Sequence, residues 1–295
     1  MKRALLCALL VLASASASAC GGGKKAPAAP LDERVVTAGV SLLKHLPAHA
    51  DAVLELDVGR LRRNETLGPV VRALAPWLKS HATPDAIPVD LPLDADLLIA
   101  AVYDLGGNDA AMVVLVRGEA IDADAVTKTA SDLTRVDEHT FAYGPPELRA
   151  QTPAPTPPLA DDAAFMALRD TAMPVRAPGA SLRLTARLST AARVSAAGRL
   201  GYDGALPAQL SLWADVADDV ALIALLGGDD PAQANHLAAD IDAGVPRLGR
   251  YAGVPYALRR IRTSVSGTEV RVVWTVGPKA LGEAIDRLGE RAAGD

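Results

Sequence analysis

Histidines are the first side chains to consider as metal ligands, and two of the five in this sequence lie close together. His45 and His49 are four residues apart, a spacing that would place two zinc ligands on one turn of a helix. Pro47 stands between them and ends a helix, and no glutamate completes the H-E-x-x-H pattern of zinc peptidases. We therefore predict two solvent-facing histidines at a helix end and no metal site. The other three histidines are widely spaced: His81, His139 and His236.

A serine nucleophile is the next kind of chemistry to consider. Ser41 and Lys44 match the S-x-x-K spacing of serine acyl-enzymes, but the companion S-D-N and K-T-G motifs do not occur in the sequence. The G-x-S-x-G elbow, the G-x-G-x-x-G dinucleotide loop and the G-x-x-x-x-G-K-[ST] phosphate loop do not occur either. We predict a protein that is not an enzyme and has no cofactor, with a hydrolase of unrecognised type as one alternative.

Five aspartates between residues 215 and 230 form the densest acidic region and raise the question of calcium binding. Calcium takes about six to eight oxygen ligands, and the spacing of these residues is not that of an EF-hand loop. We instead predict a hairpin turn at the second and third of them and the cap of a helix at the last two. The five are Asp215, Asp218, Asp219, Asp229 and Asp230.

The basic residues of the chain do not form a binding stripe. Arg259, Arg260 and Arg262 are the one compact basic patch, and arginines that alternate along a strand predict a solvated face rather than an anion site. Over the whole chain, 30 Lys and Arg face 35 Asp and Glu. Because phosphate binding rests on a basic surface, we do not expect nucleic acid as a partner.

The N-terminus has the organisation of a secretory signal peptide. Met1-Lys2-Arg3 is a short basic start, and residues 4–19 are apolar or small (ALLCALLVLASASASA). A permanent transmembrane helix needs about 20 predominantly apolar residues, and this run is shorter and rich in Ala and Ser. We predict that residues 1–19 are a signal peptide.

The residues that end this segment resemble the lipobox of bacterial lipoproteins. Ala17-Ser18-Ala19-Cys20 is followed at once by Gly21-Gly22-Gly23. The resemblance implies that Cys20 becomes the N-terminus, receives a diacylglycerol and anchors the protein to a membrane. Ala17 stands where the family usually has leucine. The same small residues suit ordinary signal cleavage, which would cut the same bond and leave a free thiol.

The resemblance also implies a location. Gly21, rather than aspartate, follows the cysteine, and by the best-known sorting rule of lipoproteins this implies the outer membrane of a Gram-negative bacterium. Residues 20–34 are rich in Gly, Pro and charge, so we predict a flexible tether there. Since Cys7 and Cys20 are the two cysteines of the chain, the body can have no disulfide, thiolate metal site or cysteine nucleophile.

The body beyond the tether is predicted to have an α+β fold with two similar halves. The order strand, helix, strand, strand, helix, strand occurs twice with a period of about 110 residues, and it is typical of the ferredoxin-like, or split βαβ, arrangement. We predict two tandem ferredoxin-like repeats, at 35–143 and 161–295, each an antiparallel sheet with helices packed on one face. A Pro-rich linker at 144–160 separates them. A last hairpin is predicted from strands at 256–263 and 268–276.

Composition supports a packed body but names no activity. Half of the residues are hydrophobic, yet the chain has only three Trp, five Tyr and two Phe, so its cores must consist of small aliphatic side chains. The leading interpretation is a non-catalytic interaction or scaffold protein of the envelope, with a protein partner there. The alternative is a carrier of an apolar ligand, because small aliphatic residues between sheet and helices can leave a cavity.

Overall fold

The computed structural model describes residues 40–65, 68, 95–107, 110–121, 126, 132–174, 179–200, 204, 206–216, 220–252 and 261–277. The predicted signal peptide (1–19) and tether (20–34), including Cys20, lie outside the described residues. Within the described parts of the chain, no helix combines the length and the apolar composition needed to cross a membrane.

A single ten-stranded sheet dominates the fold, and every pair of neighbouring strands in it is antiparallel. The predicted α+β class with antiparallel strands is thus confirmed. The strands are β1 (Ala52–Asp57), β2 (Leu97–Tyr103), β3 (Ala111–Arg117), β4 (Leu133–Arg135), β5 (Thr140–Tyr143), β6 (Leu182–Arg187), β7 (Gln209–Asp215), β8 (Val220–Gly227), β9 (Arg262–Ser266) and β10 (Glu269–Val276). Their order across the sheet is β4-β5-β3-β2-β1-β6-β7-β8-β10-β9.

Besides the helical residues 40–43, five helices and one 3₁₀ turn that lie wholly within the described residues accompany the sheet. They are α1 (Val58–Arg63), α2 (Pro146–Arg149), the 3₁₀ turn Leu159–Asp161, α3 (Ala163–Thr171), α4 (Thr190–Leu200) and α5 (Pro231–Ala252). The side chain of Asp162 accepts the backbone N–H of Phe165 and so caps α3. Asp230 accepts the N–H of Gln233 in the same way at α5, which confirms the predicted cap.

The two halves of the chain share the same order of strands across the sheet. In the first half, β1 to β5 lie in the spatial order 1-2-3-5-4, and β6 to β10 repeat that order in the second half. The halves join where β1 pairs with β6, so Leu54 lies opposite Leu184.

Ferredoxin-like repeats are not confirmed, because the strand neighbours differ from that arrangement. In a split βαβ unit, the two strands that a helix connects are parallel and have another strand between them. Here β1 pairs directly and antiparallel with β2, and β6 pairs in the same way with β7. The first six elements of the second half follow the same order of element types as a split βαβ unit, so that order could not distinguish the two arrangements.

Helices cover both faces of the sheet, which corrects the prediction of one covered face. We call the face that carries Val53, Ile99 and Trp213 the front; α3 packs on it through Phe165. The other face, the back, carries Val270 and packs against α5. A second back-face cluster surrounds Phe141 in the first half. The strands are therefore buried from two sides in each half.

Two connections differ from prediction or extend it. The last hairpin turns at Gly267, whose φ of 59° suits glycine, so β9 runs on to Ser266 instead of ending at Thr263. Residues 256–260 lie outside the described residues. The predicted Pro-rich linker is held at its end against the first half, because the N–H of Leu159 binds the carbonyl of Leu46 at 2.8 Å.

Candidate functional site

Charged side chains replace apolar ones on the front face where the halves meet. The alternation of β1 places its leucines at the back and its acidic residues at the front, and the register of β6 places its arginines on that same face. Several of these side chains are almost completely buried. We call this group the seam: Glu55 and Asp57 of β1, Arg183 and Arg187 of β6, and Arg169 and Asp170 of α3.

Glu55 and Arg169 form the central ion pair of the seam. Nε and Nη2 of Arg169 donate to the two carboxylate oxygens of Glu55 at 2.6 and 2.7 Å, in the two-pronged geometry typical of strong arginine–carboxylate pairs. Arg169 is 5% exposed and Glu55 is 8% exposed. Burial alone would lower the pKa of Arg169, but its bond with Glu55 and the charges of Glu55 and Asp170 outweigh burial and raise the pKa.

Asp170 links this pair to the second half. Its Oδ1 accepts Nη1 of Arg169 at 3.0 Å and Nη1 of Arg183 at 2.7 Å. Burial and the nearby charge of Arg169 lower the pKa of Arg183, although the carboxylates of Glu55 and Asp170 oppose that effect. Guanidinium groups stay charged at any physiological pH. The three elements β1, α3 and β6 are therefore joined by one ionic network.

A second set of bonds closes one end of the seam. Nη2 of Arg60 in α1 donates to Oδ2 of Asp215 in β7 at 2.7 Å, and Oδ1 of Asp215 accepts the hydroxyl of Ser181 at 3.0 Å. Asp57 caps α1 by accepting the N–H of Arg60 at 2.6 Å. Burial raises the pKa of the Asp57 carboxyl, and that bond together with the charges of Arg63 and Arg60 offsets the increase only in part.

Arg187 closes the opposite end. It binds both oxygens of Asp162 at 2.6 and 3.1 Å, and its guanidinium lies 5.6 Å from the centre of the Phe165 ring. The bond from Arg187 lowers the pKa of Asp162. Asp162 is thus both the cap of α3 and the partner of β6.

The seam is arranged to hold elements together. A nucleophile needs a base within hydrogen-bond reach and a further group that orients the base. In the described seam, both oxygens of Glu55 bind Arg169, and Asp170 and Asp215 bind arginines. Ion pairs of this kind fix the relative positions of the elements that they join, and these carboxylates are engaged by arginines.

The structure places His45 and His49 beyond the end of the helix instead of on one helical turn. The helical residues 40–43 end before both of them, His45 is half-buried, and His49 is exposed with a φ of 66°. His139 lies beside β5 and His236 is exposed on α5, while His81 lies outside the described residues. No group of three or more His, Cys, Asp or Glu side chains in the described residues is placed to hold a metal ion.

The remaining predicted site residues are dispersed. Lys44 is exposed just beyond the helical turn that carries Ser41. Asp215 binds Arg60 at one end of the seam, whereas Asp229 binds Arg193 of α4 at 2.5 Å. These two aspartates therefore belong to different ion pairs. Arg262 is exposed on edge strand β9. The following lie outside the described residues: Asp218, Asp219, Arg259 and Arg260.

Sequence reasoning missed the central residues of the seam. Glu55 interrupts an otherwise apolar alternating strand, A-V-L-E-L-D, and Arg183 occupies a similar position in L-R-L-T-A-R. A charged residue at an inward position of a buried strand requires a partner, and that was the available signal. Arg169 gave no comparable signal, because a lone arginine late in a helix is common on surfaces.

The fold and the seam define an α+β protein in which paired charges join two halves of one sheet. No protein-family model and no curated protein sequence matches the chain. The chain is similar to the structure of crystal form I of TP0453, with a TM-score of 0.43 and 12% identity over 83% of this chain and 96% of that one. Crystal form III of TP0453 gives a TM-score of 0.43 and 11% identity over 82% and 96%.

Proposed function

We propose that this chain is a non-catalytic lipoprotein of the bacterial envelope, anchored to the outer membrane by a lipid on Cys20. Its body is a rigid scaffold that presents a surface to a protein partner in the envelope. The lipobox-like residues 17–20 support the anchor. The pairing of the seam charges with one another supports the scaffold.

The seam carries this proposal because it is the most elaborate polar feature of the described residues. A catalytic cluster places at least one group where it can reach a reacting atom. In the seam, Glu55 is 8% exposed and has both carboxylate oxygens bound to Arg169, which is itself 5% exposed. These groups make the body rigid where its halves meet.

We further propose that the two halves are tandem repeats of one ancestral unit. The recurrence of the strand order 1-2-3-5-4 supports this origin, as does the matching position of a helix after β1 and after β6. The repeat unit is an antiparallel five-stranded one, in place of the ferredoxin-like unit.

A variant that lacks charges of the seam but still folds distinguishes a scaffold from a catalyst. We expect Glu55→Gln combined with Arg169→Gln to restore the phenotype of a deletion strain when the amount of folded, anchored protein matches the wild type. The matched control is Arg193→Gln with Asp229→Asn, which removes an ion pair between α4 and the start of α5. If the seam variant is folded and anchored at wild-type levels and fails to restore the phenotype while the control succeeds, the seam has a reactive or binding role.

A carrier of an apolar ligand is the second candidate, and one observation favours it. Leu54 and Leu56 of β1 and Leu182 and Leu184 of β6 are only half-buried on the back face. Mass spectrometry of solvent extracts of the purified protein tests this candidate. If the protein is a carrier, the extract should contain a stoichiometric lipid in addition to the anchor. The double variant Leu54→Lys with Leu184→Lys should lose this additional lipid. If the protein is a scaffold, the extract should contain no additional lipid.

A further inference from the structure

The two strands that join the halves carry opposite charges on one face. On β1 and the residue before it, the front-face charges are all acidic: Asp51, Glu55 and Asp57. On β6 the front-face charges are both basic: Arg183 and Arg187. Because side chains alternate along a strand, all five lie on the same side of the sheet.

The register places these opposite charges on adjacent strands, and α3 supplies the groups that bind them. Glu55 lies directly opposite Arg183. At the end of the pairing, the N–H of Arg187 donates to the carbonyl of Asp51 at 2.8 Å. Leu54 and Leu184 face each other at the centre. The two strands thus pair about a central leucine pair, with acidic residues on one strand and basic residues on the other.

Because the two halves have the same strand order, the geometry also allows like strands from two copies of the chain to pair. β1 and β6 are corresponding strands of the two halves, each the first of its five. If β1 strands from two copies of the chain paired in this register, Leu54 would lie opposite Leu54 and Glu55 opposite Val53. If two β6 strands paired, Arg183 would lie opposite Thr185.

Such like-with-like pairing would crowd charges of one sign at a buried site. Two β1 strands would bring together six carboxylates, from Asp51, Glu55 and Asp57 of each copy. Two β6 strands would bring together four guanidinium groups, from Arg183 and Arg187 of each copy. A buried charge without an opposite partner is strongly unfavourable, and like charges repel across a strand pair.

We propose that the acidic front face of β1 and the basic front face of β6 specify the pairing of the two halves. The acidic front face of β1 favours pairing with β6 of the same chain and disfavours pairing with β1 of a second copy. The charges therefore prevent two copies from joining through like halves while each chain folds. Apolar residues on the back of both strands, Leu54 and Leu184 among them, could not provide this discrimination because they are alike.

A single cysteine at the centre of β1 reports on this pairing. In the full chain with Cys7→Ser and Cys20→Ser, Leu54→Cys can form a disulfide between copies only where two β1 strands pair through residue 54. The chain is unfolded in urea, refolded in a thiol redox buffer at several protein concentrations, and analysed on non-reducing gels. With the seam charges intact, we expect a monomer at all concentrations.

Removing three of the seam charges is expected to change that result. In the triple variant Glu55→Met with Arg169→Met and Arg183→Met, called the neutral background, the same reporter should give a disulfide-linked dimer whose fraction rises with protein concentration. The reporter in the background of Arg193→Met with Asp229→Asn, an ion pair outside the seam, should stay monomeric. Leu184→Cys is the corresponding reporter on β6. It should stay monomeric with the seam charges intact and in the control background, and it should form the disulfide-linked dimer in the triple methionine variant.

Two results would overturn the proposal. One is an equal dimer fraction in the charged and neutral backgrounds, and the other is a neutral chain that refolds with no disulfide-linked dimer at any concentration. Circular dichroism of each refolded chain establishes that the comparison is between folded proteins. If the methionine variant does not refold, the uncharged polar pair Glu55→Gln and Arg183→Gln replaces it, and the same two results decide.

Discussion

Glu55 of β1 lies directly opposite Arg183 of β6, yet both of its carboxylate oxygens bind Arg169 of α3 instead. Arg183 binds Asp170, the residue next to Arg169, at 2.7 Å. The short helix α3 packs over the front face of the sheet and supplies a partner of the required sign to each strand. Because the bonds share Asp170, the four residues act as one network rather than as separate pairs.

Arg169→Met should strongly destabilise the protein, because it leaves the carboxylate of Glu55 buried without its main partner. Loss of one partner of a buried pair typically costs about 3–5 kcal/mol. Glu55→Met combined with Arg169→Met should cost clearly less than Arg169→Met alone, since no charge is then left uncompensated at that position. Urea unfolding followed by circular dichroism gives the free energy of unfolding of each variant.

Leu43→Ala is a suitable reference for these values, since it removes buried apolar volume without a change of charge. A double variant less stable than Arg169→Met alone would contradict the account. It would show that the two residues contribute independently and do not form a coupled pair.

Asp57 should make the protein less stable as the pH rises, relative to an uncharged variant. Its pKa in the folded protein is raised above the ordinary value of 3.8, so the folded state binds the proton more tightly than the unfolded state does. The free energy of unfolding of the wild type should therefore fall relative to that of Asp57→Asn from about pH 3.8 upward, and level off above the raised pKa. Urea unfolding at a series of pH values measures the difference.

Asp162→Asn is the matched control for that series and should show the opposite sign. The bond from Arg187 lowers the pKa of Asp162 below 3.8. Its contribution to stability is complete above that pH and is lost as the pH falls towards the lowered pKa. A wild type that gains stability over Asp57→Asn with rising pH would show that the Asp57 carboxyl is not held in a desolvated position.

Gly106→Ala should destabilise the contact between the two halves on a different surface. A Cβ atom at Gly106 would lie 2.5 Å from the backbone nitrogen of Ala192 in α4 and 2.8 Å from the carbonyl carbon of Ala191. Overpacking of this kind typically costs about 1–3 kcal/mol. Urea unfolding is again the measurement.

Gly198→Ala provides the contrast for Gly106→Ala. Gly198 lies within α4 and a Cβ atom there would meet nothing within 4 Å. Alanine should stabilise this helix by about 0.5–1 kcal/mol. If both substitutions stabilise, the β2–β3 turn does not pack against α4 as closely as the structure has it.

The local elements of this fold could be predicted from the sequence, because each depends on neighbouring residues. Asp230 was predicted to cap a helix, and it does so at the start of α5. The last hairpin was predicted as well, and its second strand is β10 (Glu269–Val276). Helix α1 was not predicted, since it has six residues and begins directly at the end of β1.

The arrangement of the elements depended on contacts between distant residues and could not be predicted in the same way. Glu55 and Arg169 are 114 positions apart, and neither has a local signature that names the other. The pairing of β1 with β6 likewise joins residues that are far apart in the sequence, Leu54 with Leu184 among them. The lipobox-like residues 17–20 lie outside the described residues, so the lipid anchor stays a prediction.

The mass of the intact protein, purified with detergent from the membranes of its own cells, tests the central claim most directly. The account predicts a chain that begins at Cys20 and is heavier than the polypeptide by a diacylglycerol and an N-linked acyl chain. Cys20→Ser should lack that added mass, and Cys7→Ser should keep it because residue 7 is removed with the signal peptide. A wild-type chain that begins at Cys20 with a free thiol, or one that retains residues 1–19, would contradict the lipoprotein assignment.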